Sequence, residues 1–143
     1  MLGDFPELQG KVRLFKGNSK KVMSASDAVL VNSGTATLEA MLLRKPMVMS
    51  YRLGKLTHLL VSKLVRTNLF ALPNILAGEK IVPEFIQDEA KPKKMAKEIK
   101  RYLGRTEQEE LFLRYQELHS ELCGSGVSGD EASRAILKFC KDT

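Results

Sequence analysis

The chain has 143 residues, 43% hydrophobic and 28% charged, which suits one domain with a real core. No run approaches the roughly 20 apolar residues of a membrane span, and MLGDFPELQG lacks the basic-then-apolar order of a signal peptide. The net charge of +6 is uneven: residues 1–66 carry 11 Lys and Arg against 4 Asp and Glu, and the remainder carries 12 against 13. That asymmetry favours an anionic ligand or membrane surface, whereas sparse aromatics and the lack of a basic recognition helix argue against nucleic acid.

In chain order, Lys11–Phe15 (KVRLF) alternates as a short strand, and Ser19–Ala25 is a short helix. Ala28–Asn32 is an apolar run expected as a fully buried strand. Thr35–Leu43 is a helix, and Met47–Tyr51 is the next strand after Pro46. Lys55–Val65 (KLTHLLVSKLV) is a helix with a wide apolar stripe edged by Lys55, Lys63 and Arg66. Phe70–Leu72 is expected as a short strand ended by Pro73, and Ile81–Gln87 as a short helix. Pro92–Leu103 is a helix with Pro in its first turn and a basic exterior. Thr106–Leu122 opens with a capping box, Thr106 and Glu109. A CGSGVSG loop follows, then a last helix with Ser128 and Glu131 as its box. Apolar strands alternating with helices predict an α/β fold: a partial Rossmann-like parallel sheet over residues 1–105, followed by C-terminal helices over 106–143.

The stretch AVLVNSGTATLEAMLLRKPMVMSY (Ala28–Tyr51) carries the chemistry. Ser33, Gly34, Thr35 and Thr37 place small side chains, hydroxyls and unpaired N–H groups where a helix begins, and the helix dipole favours an anion there. Glu39 follows within the first turns, where a carboxylate accepts hydrogen bonds from sugar hydroxyls. A diphosphate joined to a ribose suits the set, while an ordinary strand-to-helix turn would use the same residues as caps. Asn74 sits where parallel sheets place ligand contacts, or is a turn-forming residue after Pro73. Arg52, after Tyr51, suits a phosphate or a surface salt bridge. The Lys55–Arg66 stripe suits a membrane surface or a sheet-packed core. His58 and His119 lack partners at metal-ligand spacing and read as structural; Cys123 and Cys140 read as free thiols of a reducing compartment.

SGTATLEAML (Ser33–Leu42), PMVMSYR (Pro46–Arg52), LPNILAG (Leu72–Gly78) and VPEFIQDEAKP (Val82–Pro92) make Lys11–Leu103 closely resemble the C-terminal half of the bacterial lipid A disaccharide synthase family. The resemblance implies a two-Rossmann-domain glycosyltransferase whose C-terminal domain binds UDP-2,3-diacylglucosamine. The acceptor is 2,3-diacylglucosamine 1-phosphate, and the product is the β-1,6 disaccharide 1-phosphate. It further implies no metal and no cofactor, peripheral attachment to the cytoplasmic face of the inner membrane, and a homodimer through the C-terminal helices. Ser33, Gly34, Thr35, Ala36, Thr37, Glu39, Asn74, Arg52 and Gly17 are then the UDP-sugar-binding residues, with Gly17 of Lys16–Asn18 meeting the uracil through its backbone. Asn74 has at most a supporting catalytic part, since the resemblance puts the base on the N-terminal domain. That domain is not in this sequence, so the chain alone is expected to show little transferase activity and to self-associate. The alternative is a truncated UDP-binding or dimerising module.

Overall fold

A computed structural model describes residues 6–32, 34–52, 69–104 and 108–124. Three parallel strands form the sheet: β1 (Val29–Val31), β2 (Met47–Tyr51) and β3 (Glu84–Ile86), in that order. Val29 faces Met47 and Val31 faces Met49; Met49 then faces Glu84 and Tyr51 faces Ile86. The helices are α1 (Ser19–Ala25), α2 (Thr35–Leu42), α3 (Leu72–Ala77), α4 (Pro92–Leu103) and α5 (Gln108–Cys123). Short 3-10 turns cover Pro6–Leu8 and Gln87–Glu89. The arrangement is a Rossmann-like α/β sheet with flanking helices.

The central strand explains the core. Met47, Val48 and Met49 are wholly buried because β2 has a neighbour on each edge and helices α2 and α4 packed against it. Helix α2 turns Thr37, Ala40 and Met41 inward, a spacing that puts all three on one face. It packs on α3 and α5, and α5 answers with Leu111, Tyr115 and Leu118. Arg114 joins α5 to Glu79 beyond the end of α3 at 2.8 Å. Helix α2 ends through Arg44, whose φ of 52° reverses the chain so that Lys45 N–H reaches the Ala40 carbonyl at 2.9 Å before Pro46 opens β2.

Four expectations are corrected. Lys11–Phe15 is not a strand: Leu14 is 80% and Phe15 65% exposed, and without a pairing partner its alternation buries nothing. The strand after Ala28 is not fully buried: β1 is the edge of the described sheet and Leu30 is 55% exposed. Phe70–Leu72 is not a strand: Leu72 begins α3, with Pro73 in its first turn, where the missing N–H costs nothing. Ile81–Gln87 is not a helix, since β2 offers an open edge and Met49 N–H takes the Pro83 carbonyl at 2.9 Å. The Lys55–Val65 helix, Thr106, Ser128, Glu131, His58 and Cys140 lie outside the described residues. His119 and Cys123 are exposed on α5.

Tyr115 is 1% exposed, and its hydroxyl has no partner among the described residues. Burial pushes its phenol above the ordinary tyrosine range. With the folded value raised, this contribution to stability is intact below about pH 10 and fades as the pH climbs past it, because only the unfolded chain ionises there. Tyr115→Phe removes an unsatisfied hydroxyl. Its urea-unfolding stability at neutral pH is expected to equal the parent's or exceed it by about 1 kcal/mol, with a shallower loss above pH 10. A deficit beyond about 2 kcal/mol at neutral pH would contradict this.

Candidate functional site

The carboxyl ends of all three parallel strands lie at one end of the sheet, the edge where open α/β sheets bind ligands. The first leads from β1 into α2. Gly34 holds φ 115° and ψ −157°, a conformation essentially closed to side-chain-bearing residues. A Cβ built there meets nothing within 4 Å, so the restriction is conformational and the space in front of the loop is open. Gly34, Thr35 and Glu39 are exposed and Ala36 is half-buried; Ser33 lies outside the described residues. Thr37 N–H closes the first turn on the Gly34 carbonyl at 3.1 Å, and the N–H groups ahead of it have no intrahelical acceptor by helix geometry and carry the positive end of the α2 dipole.

Thr37 is different. It is wholly buried, its hydroxyl donates to the Gly34 carbonyl at 2.7 Å, and it accepts the Leu72 N–H at 3.1 Å. Its oxygen therefore braces the loop from behind and ties it to the start of α3. Ala71 and Phe70 send their N–H groups to Glu84 Oε1, at 2.6 and 2.9 Å. The two helix starts thus contrast: α3 is filled by an internal carboxylate, while α2 stays open at the edge.

Asn74 belongs to the internal network. It is wholly buried, and its amide nitrogen donates to the Val82 carbonyl at 3.0 Å and to Glu84 Oε1 at 2.8 Å. Its oxygen accepts the N–H groups of Ile81 and Val82, both at 2.9 Å. All four of its hydrogen-bonding sites are engaged within the chain. The expected contact to sugar or phosphate has a different use here: Asn74 pins α3 to β3.

Arg52 follows β2 and is exposed. Its guanidinium donates to the Gln87 carbonyl at 3.2 Å and the Ala90 carbonyl at 3.1 Å. The anchor is backbone carbonyl, not the carboxylate of a surface salt bridge, so the positive charge keeps its reach toward an anion. Gly17 (φ 75°) and Asn18 (φ 57°) form a left-handed entry to α1, and Gly17 is exposed. The structure thus joins Gly34, Thr37 and Asn74 through one hydrogen-bonded frame, with Thr35 and Ala36 in the first turn of α2 and Glu39 one turn further on. Arg52 shares the edge with them, and Gly17 lies at the entry to α1. Glu84 and Gln87 escaped the sequence reading, although the β-prone Pro-Glu-Phe-Ile run was the available signal. No group able to hold a metal occurs among the described residues. Two cavities among the described residues, of about 340 and 620 Å³, are lined by residues such as Asp27 and Phe112, or Tyr102 and Arg114, and by none of the Gly34 loop.

Replacing Asn74 separates a frame role from a ligand-contact role. Asn74→Ala strands two buried N–H groups and the Val82 carbonyl, so urea unfolding is expected to show a loss of about 2–4 kcal/mol without any ligand present. A loss under about 0.5 kcal/mol would point instead to a group held in reserve for a ligand.

Comparison with known proteins bears on the same residues. The sequence profile of the family described as lipid-A-disaccharide synthetase matches residues 6–133. A lipid-A-disaccharide synthase of Alkalilimnicola ehrlichii is 47% identical over 128 residues, covering 88% of this chain and 33% of that protein. That of Actinobacillus pleuropneumoniae is 44% identical over 139 residues, covering 93% and 35%. Lipid-A-disaccharide synthase 2 of Legionella pneumophila (strain Paris) is 38% identical over 133 residues, covering 93% and 34%. The chain spans about a third of the length of the curated relatives it matches. The match runs through the open loop, the Asn74 frame and the Arg52 edge, and this chain belongs to the lipid-A-disaccharide synthetase family.

Proposed function

We propose that this chain is the donor-binding part of a lipid A disaccharide synthase. The reaction transfers 2,3-diacylglucosamine from UDP to 2,3-diacylglucosamine 1-phosphate, giving the β-1,6 disaccharide 1-phosphate and UDP. The observation that carries the reading is the open start of α2, with Gly34 held in a glycine-only conformation in front of unoccupied space.

Inverting displacement builds charge on the leaving diphosphate as the acceptor 6-hydroxyl attacks the sugar C1. Donors fixed beforehand stabilise that charge without reorganising, which is the condition for lowering the barrier rather than merely binding substrate. In this proposal the N–H groups at the loop and the hydroxyls of Ser33 and Thr35 take the phosphate oxygens. Thr37 holds the loop in shape, Glu39 receives the ribose hydroxyls, Gly17 lies toward the uracil, and Arg52 adds positive charge at the edge. Asn74 supports the site from within. The base that takes the acceptor proton is proposed to lie in the part of the relatives that this chain does not span. No described helix is long and apolar enough to cross a membrane. A peripheral site on the cytoplasmic face of the inner membrane, and a homodimer through the C-terminal helices, belong to the same proposal.

The second reading is a UDP-binding or dimerising module without transferase activity. The open edge of β1, beside exposed Leu30, favours self-association. Supplying the remaining two thirds of a relative as a separate chain discriminates between them: restored disaccharide formation supports the enzyme part, and none supports the module.

Titrating UDP into the labelled chain is expected to shift the amide signals of residues 33–39. Gly34→Ala is expected to cost about 1–3 kcal/mol of stability, through the backbone alone, and to abolish those shifts. Shifts confined to another surface, or unchanged binding by a folded Gly34→Ala chain, would overturn the donor-site reading.

A further inference from the structure

Three non-glycine residues among those described adopt a positive φ: Asn18, Arg44 and Gln87. Asn18 enters a helix and Arg44 leaves one. Gln87, at φ 51°, borders no α-helix: it follows β3 directly and opens a short 3-10 segment. Such a backbone is costly for a residue with a side chain and persists where its surroundings fix it. Here the turn aims the Gln87 carbonyl at Arg52 Nε, 3.2 Å away. Tyr51 faces Ile86 in the sheet register, so Arg52 and Gln87 leave β2 and β3 side by side.

The Gln87 side chain adds a second observation. Its amide nitrogen is buried and has no acceptor among the described residues. A withdrawn donor without a partner is costly and uncommon, and because Gln87 as a residue is only half-buried, rotation about its soft terminal torsion brings that donor out to the edge, where a ligand oxygen satisfies it. The Gln87 turn and the Gly34 loop lie on that same edge, two strand spacings apart, or about 10 Å. A nucleoside diphosphate seated at the loop has room to extend its sugar along the edge toward Arg52 and Gln87.

We propose that Gln87 is a contact residue for the hexose of a nucleotide sugar. Its carboxamide N–H donates to a sugar oxygen, and its backbone carbonyl holds Arg52 beside the adjoining phosphate. The proposal rests on the donor-site reading and names the part of the ligand that the Gly34 loop does not reach.

The test compares UDP with UDP-N-acetylglucosamine, a soluble nucleotide sugar, by calorimetric titration of the whole chain. The parent chain is expected to bind the nucleotide sugar about tenfold more tightly than UDP. Gln87→Asn tolerates the left-handed backbone but draws the amide back by one methylene. Gln87→Leu removes the donor. Both are expected to keep the parent's UDP affinity within about twofold and to lose the sugar-dependent gain. Circular dichroism identifies a variant that fails to fold, in which case the other carries the comparison. Equal affinity of the parent for both ligands, or a gain that survives in a folded variant, overturns the role of Gln87 while leaving the donor site standing. Failure of the parent to bind UDP at all removes the donor site, and this inference with it.

Discussion

One hydroxyl carries an unusual share of this architecture. Thr37 is buried in α2, donates forward to Gly34 and receives a hydrogen bond from Leu72 at the start of α3. Without it the loop after β1 would rest on a single glycine, the residue type with the most conformational freedom to lose. With it, the loop is fastened to a helix that is itself fastened to β3 through Glu84 and Asn74. The loop's shape therefore depends on the whole sheet, not on its own few residues. Preorganisation of this kind is what a site needs if its donors are to stabilise a developing charge.

The paired helix starts differ in what they offer an anion. Both α2 and α3 begin near the same edge, and both carry unpaired N–H groups by geometry. At α3, Glu84 accepts from Phe70, Ala71 and Asn74 through one oxygen, so an external anion would meet a resident negative group. At α2 no acidic residue occupies the first turn. In the proposed donor site, the filled terminus would steer a nucleotide as much as the open one. The other Glu84 oxygen, buried and without a partner among the described residues, indicates how much desolvation the chain tolerates to keep that carboxylate in position.

Local pattern made part of this readable. The runs that became β2, α2 and α4 carry their own signals: an apolar stretch after Pro46, small residues opening a helix, and Pro92 at a first turn. The burial of Thr37 was also legible, since it shares a helical face with Ala40 and Met41, yet its place in SGTAT drew it toward the loop. Local pattern makes Pro73 the end of a strand, although it starts a helix just as Pro92 does; nothing local separates the two uses. The β3 segment was obscure for a physical reason. Glu84–Ile86 is a strand because β2 presents an edge at the right register, a fact held more than 30 residues away. Lys11–Phe15 shows the converse, with a strand-like pattern and no edge to join. Position singles out Asn74 and Arg52, but their partners, backbone groups and for Asn74 also the Glu84 carboxylate, are ones that no spacing rule reveals.

The chemistry of the interior has a bearing on durability. Met23, Met41, Met47 and Met49 are all buried, so thioethers rather than branched hydrocarbons fill much of the space around the middle strand. Unbranched, polarisable side chains accommodate small shifts in their neighbours with little loss of contact. They are also the groups that peroxide converts to sulfoxides. A single added oxygen at Met47 or Met49 would set a strong dipole in a dry, close-packed environment, so this fold's tolerance of movement is coupled to a sensitivity to oxidants.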